Sequence, residues 1–376
     1  MTEKSQSETS LSSSSTLGST RNLKESFLHR KLGDSSSSTR GSIHDFKDVS
    51  TAATVGPGRM GVGIAIALLL AGVRVYMLDA KERDPTEQEI LWERVTAELR
   101  EGVNSLAELG LLLKEDVEGA LSRVSFHPNE QLEEIIGCRE VGFVVESVPE
   151  IITAKETVLS RIGRSAHDGA IITSATSTFL TDDLARYLEH PEHFLNAHWL
   201  NPAFLIPLVE LSPGSATDPA VTTATREFLQ SIGKVPVVCA PSPGFIVPRI
   251  QALAMNEAAR IVEEGIATAE DVDMACRVGF GIRFAVLGLL EFIDWGGCDV
   301  LYHASNYLQR ALSAGERYAP PAIVEEHVNA GHSGGRGHGL FYRFEEHERV
   351  DYQREKLTAY VALLRHLDLL PHTSVG

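Results

Sequence analysis

A glycine-rich turn constrains the fold more than any other feature of the chain. Gly56-Pro57-Gly58-Arg59-Met60-Gly61 stands between a short extended segment (50–56) and a strongly apolar one, VGIAIALLLAG (62–72). The first glycine permits a tight turn, the second lets backbone approach a pyrophosphate, and the third lets the helix pack on the strand. The positive N-terminal end of the following helix would face those phosphates. Asp79 ends the next extended run, VRVYMLD (73–79), 23 residues after Gly56. A carboxylate there accepts both hydroxyls of an adenosine ribose and repels a 2′-phosphate, so the expected cofactor is NAD, not NADP. Gly56, Gly58, Arg59, Met60, Gly61 and Asp79 form the expected cofactor-binding set. Lys81 and Arg83 are cations of the kind that could favour NADP, but they read as a solvated turn. The plain alternative is a tight α/β turn with no ligand.

The pattern around this turn alternates. Extended runs are expected at 124–128, 141–147 and 170–176, with helices over 86–121 and 154–165. Along 86–121 the apolar positions are Leu91, Val95, Leu99, Leu106 and Leu111. Such alternation implies a parallel sheet covered on both faces. After VPVVCA (235–240) the strands stop, and helices are expected over about 245–264, 269–279, 297–315 and 351–366. The fold class is therefore α/β, a Rossmann-type doubly wound, mainly parallel sheet followed by an all-α C-terminal domain. The expected boundaries are a disordered serine-rich tail (1–46), a dinucleotide-binding domain (47–240) and a helical substrate and dimerisation domain (241–376). The tail holds two SSSS runs and few apolar residues, too few to offset the entropy of ordering.

Composition removes several function classes. The net charge of −17 argues against a nucleic-acid partner, because phosphate binding needs basic surface. The longest apolar stretch, Ile64 to Val73, is too short to span a bilayer. The four cysteines are widely spaced without a C-x-x-C pair, so neither a disulfide framework nor a metal site is expected. A cytoplasmic location fits; cations in the tail leave mitochondrial import as the alternative, although interspersed acids oppose it.

A second constellation is AHWLNPAFLIPLVEL (197–211). His198 closes an expected strand, and Glu210 lies 12 residues later on another short apolar run. Oxidising an alcohol requires removal of the hydroxyl proton, and a neutral imidazole suits that task near neutral pH. A buried carboxylate beside it would fix its tautomer and stabilise the imidazolium. A histidine satisfied within the core is the plain alternative, and it is the reading given to the other histidines, His190 and His193 included.

VGPGRMGVGIA, VVESVPEIITAK, SATSTFLT, AHWLNPAFLIPLVEL, PGFIVPRI and GGRGHGLFYRF occur in one order along the chain. In that order and spacing, over about 48–345, the chain resembles the L-3-hydroxyacyl-CoA dehydrogenase family. The resemblance implies NAD as cofactor, a small-molecule substrate and a homodimer paired through the helical domain. It assigns His198 and Glu210 to a catalytic dyad and Ser177 to a place between cofactor and substrate hydroxyl. Asn201 falls in the family's N-P pair, and Glu150 and Lys155 fall at positions that contact the ribose and nicotinamide side. The chain departs from the family pattern at Ala175 (usually Asn), at Pro248 (usually an active-site Asn), and near Arg336, where a lysine is usual. The stretch Ala203–Leu208 and GIRFAVLGLLEF (281–292) look closer to the branch containing L-gulonate dehydrogenase (lambda-crystallin) and carnitine dehydrogenase, whose substrates are not thioesters. The reaction implied is oxidation of a 3-hydroxyacyl-CoA of the 3-hydroxybutyryl type; the alternatives are the same chemistry on a free hydroxy acid, and a non-catalytic NAD-binding protein.

Overall fold

The structure, a computed structural model, describes residues 49–331, 339–342 and 346–370. The serine-rich tail and Arg336 lie outside the described residues. Two compact units divide at Glu257/Ala258.

The first unit is built on an eight-stranded sheet. Its strands are β1 (Thr51–Val55), β2 (Arg74–Leu78), β3 (Val124–His127), β4 (Val141–Glu146), β5 (Ile171–Ser174), β6 (Phe194–Trp199), β7 (Leu208–Pro213) and β8 (Val235–Val238). They lie in the order β3-β2-β1-β4-β5-β6-β7-β8. Every neighbouring pair is parallel except β6 with β7. The order reverses between β1 and β4, and a doubly wound sheet binds its ligand in the crevice at such a switch point. The Thr- and Ala-rich β1, faint in the sequence, is buried at all five positions. Small side chains there let α1 (Arg59–Leu70) lie close on the sheet, and nine of its 12 residues are buried.

Helix α2 (Pro85–Glu108) begins on a capping box, with Asp84 accepting from the Thr86 and Glu87 backbone and Glu87 reaching back. Leu91, Val95, Leu99, Val103 and Leu106 form its buried stripe at helical spacing. The single helix expected over 86–121 is broken: Gly110 takes φ +75° and ends α2, and a short α3 (Val117–Leu121) follows a 3₁₀ turn. Leu111, expected on the apolar stripe, is 62% exposed, because the stripe stops with α2. The remaining helices of this unit are α4 (Leu132–Ile136), α5 (Ile152–Ser165), α6 (Thr181–Ala185) and α7 (Pro219–Ser231). Helices α4, α5 and α6 cover the sheet face carrying Val144, Ile172 and Phe194. Helices α1, α2 and α7 cover the other, around Phe143, Leu195 and Phe228.

Helix α8 (Val247–Glu263) starts in the first unit and continues into the second. The second unit holds α9 (Ala269–Ala275), α10 (Ile282–Val286), α11 (Leu289–Gly296), α12 (Cys298–Ala311), α13 (Ala322–Asn329) and α14 (Glu346–His366). The helix expected over 269–279 gives way after Ala275 to a π-helical stretch, Cys276–Gly281, that carries two glycines. Asp294 of α11 accepts from the Leu340, Phe341 and Tyr342 backbone N–H groups at 2.7, 2.9 and 2.7 Å and so fixes the end of the glycine-rich segment. No helix among the described residues is long and apolar enough to cross a membrane.

Candidate active site

The glycine-rich turn has the steric form its sequence requires. Gly56 takes φ +106° and donates to Leu78 O at 2.9 Å. A Cβ on Gly61 would come 2.1 Å from Gly56 O, so only glycine fits there. A Cβ on Gly58 would meet nothing within 4 Å. The backbone at the start of α1 thus faces open space, as a pyrophosphate requires. Ser147 Oγ donates to Val55 O and Gly56 O at 3.0 and 2.9 Å, holding the turn from the β4 side. Arg59 projects outward from the first turn of α1, and Met60 is half-buried against the core.

Asp79 follows β2 and is 1% exposed. Its Oδ1 accepts from the Lys81 N–H at 3.1 Å, and its Oδ2 pairs with Arg83 Nε at 2.5 Å. Arg83, expected as part of a solvated turn, is instead bound to this carboxylate. These residues fit a dinucleotide: an open phosphate cradle at a helix N-terminus and a buried carboxylate beyond the neighbouring strand.

At the ends of β4 and β5 Glu146, Glu150 and Lys155 form a charge cluster. Glu146 is fully buried, and both its oxygens accept from Lys155 Nζ at 3.0 Å. Its Oε1 also accepts from the Val148 N–H at 2.8 Å, and Ser174 Oγ donates to its Oε2. Lys155, placed by resemblance at the cofactor, is 1% exposed and turns inward to Glu146 and, at 3.3 Å, to Glu150 Oε2. Its N–H groups are committed to these carboxylates. Glu150 Oε1 gathers the next loop: the Thr176 and Thr178 hydroxyls donate to it at 2.5 and 2.6 Å, and the Ser177 and Thr178 N–H groups at 3.0 Å. Burial alone would raise the Glu150 carboxyl, but the two threonine hydroxyls and the Lys155 charge outweigh it and hold it below the usual glutamate value. Ser177 is thereby fixed through its backbone and is half-buried. It does not cap α6, whose N-cap is Leu180.

His198 and Glu210 meet because β6 and β7 are antiparallel and pair them directly. Directly opposed residues share one face of a sheet. His198 Nδ1 lies 2.8 Å from Glu210 Oε2. Glu210 is wholly buried, and its Oε1 accepts from the Ile246 and Val247 N–H groups at 3.0 and 2.8 Å, where α8 begins. A carboxylate offers no proton to Nδ1, so Nδ1 carries the hydrogen and Nε2 presents a lone pair. The imidazole stacks on Phe245, with ring centroids 5.3 Å apart and 15° between planes. Phe245 is buried and takes φ +45°, an unusual conformation for an aromatic residue, beside Gly244 at φ +74°. Pro248 occupies the first turn of α8, where a proline is tolerated and no side-chain amide is offered.

Asn201 is exposed just beyond β6. Its loop is held from below by Lys234, whose ammonium donates to Ala203 O and Ile206 O at 2.6 and 3.0 Å and lies 5.6 Å from the Trp199 ring centre. Burial pulls the Lys234 pKa down. Lys234 carried no signal in the sequence and Phe245 only its place in PGFIVPRI; Glu146 carried one, an acid closing an otherwise apolar strand.

Residues 51–242 match the family described as 3-hydroxyacyl-CoA dehydrogenase, NAD binding domain, and residues 244–344 match its C-terminal domain. The chain is 35% identical to an L-carnitine dehydrogenase of Oceanobacillus iheyensis, over 69% of this chain and 80% of the relative. It is 29% identical to a 5-formyl-3-hydroxy-2-methylpyridine 4-carboxylate 5-dehydrogenase of Mesorhizobium japonicum, over 84% and 97%. A crystal structure of a 3-hydroxyacyl-CoA dehydrogenase from Archaeoglobus fulgidus shares 29% identity at a TM-score of 0.64, covering 85% of this chain and all of that one. With an NAD-binding turn and two matched domains in sequence, the chain belongs to the 3-hydroxyacyl-CoA dehydrogenase family of NAD-dependent oxidoreductases acting on CH–OH groups.

Proposed function

We propose that the chain oxidises the 3-hydroxy group of an L-3-hydroxyacyl-CoA of the 3-hydroxybutyryl type to the 3-oxo product. The observation that carries this reading is the anchored dyad: a buried carboxylate, held by two backbone N–H groups, binds Nδ1 of an imidazole whose Nε2 is left as acceptor. His198 Nε2 takes the hydroxyl proton, and Glu210 stabilises the imidazolium that results. NAD, when bound, supplies the hydride acceptor. Ser177 and Asn201 stand at the ends of β5 and β6 and orient the substrate oxygens. The glycine-rich turn and Asp79 hold the cofactor, and Glu150, braced by Lys155, fixes the loop that presents Ser177.

A second reading, the same chemistry on a hydroxy acid without CoA, is favoured by Pro248, which removes a side-chain amide from the site, and by the carnitine dehydrogenase relative. NADH formation from 3-hydroxybutyryl-CoA, free 3-hydroxybutyrate, gulonate and carnitine separates the two. Turnover of the thioester at a kcat/KM at least tenfold above every free acid supports the first reading; the reverse order supports the second.

We also propose a homodimer formed through the helical region. Of the 17 residues of α8 none is buried, and Ile250, Leu253 and Met255 are 43, 59 and 64% exposed. Apolar side chains grouped on one helix in this way mark an interaction surface.

A further inference from the structure

Four polar side chains lie side by side across the sheet beneath the dyad. Glu146 pairs in register with Ser174, Ser174 with Asn196, and Asn196 with Ser212, and none is more than 1% exposed. Asn196 precedes His198 by two residues and Ser212 follows Glu210 by two, so both share the dyad's face of the sheet. The Glu146 end of this row is satisfied by Lys155 and Ser174. The other end is not. Asn196 Nδ2 donates to Phe179 O at 2.9 Å, and a carbonyl can only accept, which fixes the amide's orientation. Asn196 Oδ1 and Ser212 Oγ are then buried with no hydrogen-bond partner among the described residues. The Cys239 thiol, a weak donor and acceptor, lies near enough to interact with the Ser212 hydroxyl but is a poor substitute for an oxygen partner.

Two orphaned oxygens on one directly paired couple of strands, one an acceptor and the other able to donate, form a complementary site. Opposed Cβ atoms stand about 4.5–5.5 Å apart, which puts both oxygens within reach of one small bridging molecule. We propose that Asn196 and Ser212 bind one internal water, which accepts from Ser212 Oγ and donates to Asn196 Oδ1. Asn196 so braced is a positioning residue: its Nδ2 holds Phe179 O, and with it the 175–180 loop that presents Ser177, at a set distance from the strand that carries His198. The positioning role rests on the function proposed above; the water does not.

The test uses the NAD-bound enzyme. A crystal structure at a resolution that shows solvent is expected to place one ordered water within hydrogen-bonding distance of both Asn196 Oδ1 and Ser212 Oγ. Asn196→Leu, close in size and fully apolar, is expected to lower kcat about 10–100-fold, the range over which small misplacements of reacting groups act, with NADH affinity unchanged. Because Asn196 acts through Ser177, the loss is expected to be strongly non-additive with that of Ser177→Ala. Should Asn196→Leu fail to fold, Ser212→Ala keeps the amide and removes one partner of the water; the water is expected to vanish, with a kcat loss of a few fold. No water at the site in the wild type would overturn the proposal. So would wild-type kcat in Asn196→Leu, or a loss that simply multiplies with that of Ser177→Ala. A wild-type enzyme that turns over no hydroxylated substrate would overturn the function, whereas the water is read directly from the crystal.

Discussion

Replacing Glu210 with glutamine changes one atom, and the structure says which way the new amide must point. Glu210 Oε1 accepts from two backbone N–H groups, Ile246 and Val247, and Oε2 faces His198 Nδ1. In Glu210→Gln the carbonyl oxygen must stay with the two fixed donors, because an NH₂ there would oppose both. The NH₂ group therefore faces His198 Nδ1, which must become an acceptor. The imidazole proton then moves to Nε2, the atom required as base. Two losses combine. A hydrogen bond to a charged group is worth about 1.5–3 kcal/mol, or about 10–150-fold in rate at 1.36 kcal/mol per decade. The wrong tautomer adds to this: in a serine-protease triad the equivalent acid-to-amide change costs about 10⁴-fold. The expected loss in kcat is thus about 10²–10⁴-fold, with NAD affinity unchanged because the dyad lies apart from the glycine-rich turn. The assay is NADH formation under saturating substrate, paired with cofactor titration by fluorescence. His198→Gln should lose a similar factor, and the double variant should lose no more than the worse single one. A folded Glu210→Gln enzyme with kcat within about threefold of wild type would refute the argument, since a general base contributes at least about 10²-fold.

Three further outcomes follow from the geometry. Gly61→Ala drives a Cβ to 2.1 Å from Gly56 O and should destabilise the protein by about 1–3 kcal/mol or more, read as a lower Tm; Gly58→Ala meets no atom within 4 Å and should leave Tm nearly unchanged while raising KM for NAD, because its methyl enters the phosphate space. Glu150 has a depressed folded-state pKa, so its contribution to stability is complete above the unfolded glutamate value of about 4.3 and is lost as pH falls through the lower folded value; the Tm difference between wild type and Glu150→Gln should therefore be constant near neutrality and shrink as the pH drops below about 4. Light scattering at micromolar concentration should give twice the chain mass, and Leu253→Asp should shift it towards the monomer; a monomeric wild type would remove the dimer.

Features fixed by local sterics were the legible ones. Gly56 and Gly61 are demanded by a positive φ and a 2.1 Å approach, and both constraints show as a fixed spacing of glycines. The buried stripe of α2 was legible as far as Leu106, because packing on one face writes a helical period into the sequence. Leu111 misled because the apolar period runs on past Gly110, where the chain has already turned. The dyad could be placed by spacing and resemblance, but not its geometry: that His198 and Glu210 are directly opposed depends on an antiparallel reversal within a parallel sheet. The least legible part was the allocation of charges. Whether Lys155 reaches outward to a cofactor or inward to Glu146, and whether Arg83 is solvated or bound to Asp79, is decided by competition among several carboxylates brought together only in three dimensions.

The two hydrogen bonds from Ile246 and Val247 also bear on how this protein can be divided. The first matched domain ends at residue 242 and contains the whole glycine-rich turn, Asp79, Ser177, His198 and Glu210. The two donors that fix the Glu210 carboxylate, and the Phe245 ring that lies along the imidazole, belong to the second. Cut at the seam between the matched domains, the first piece would keep His198 and Glu210 and lose the two donors that hold the carboxylate and the ring that lies along the imidazole. The two domains are separable as sequence, but the hydrogen bonds to Glu210 cross their seam, and a chimera that exchanges the helical part keeps them only if it carries the first turn of α8 along with the sheet.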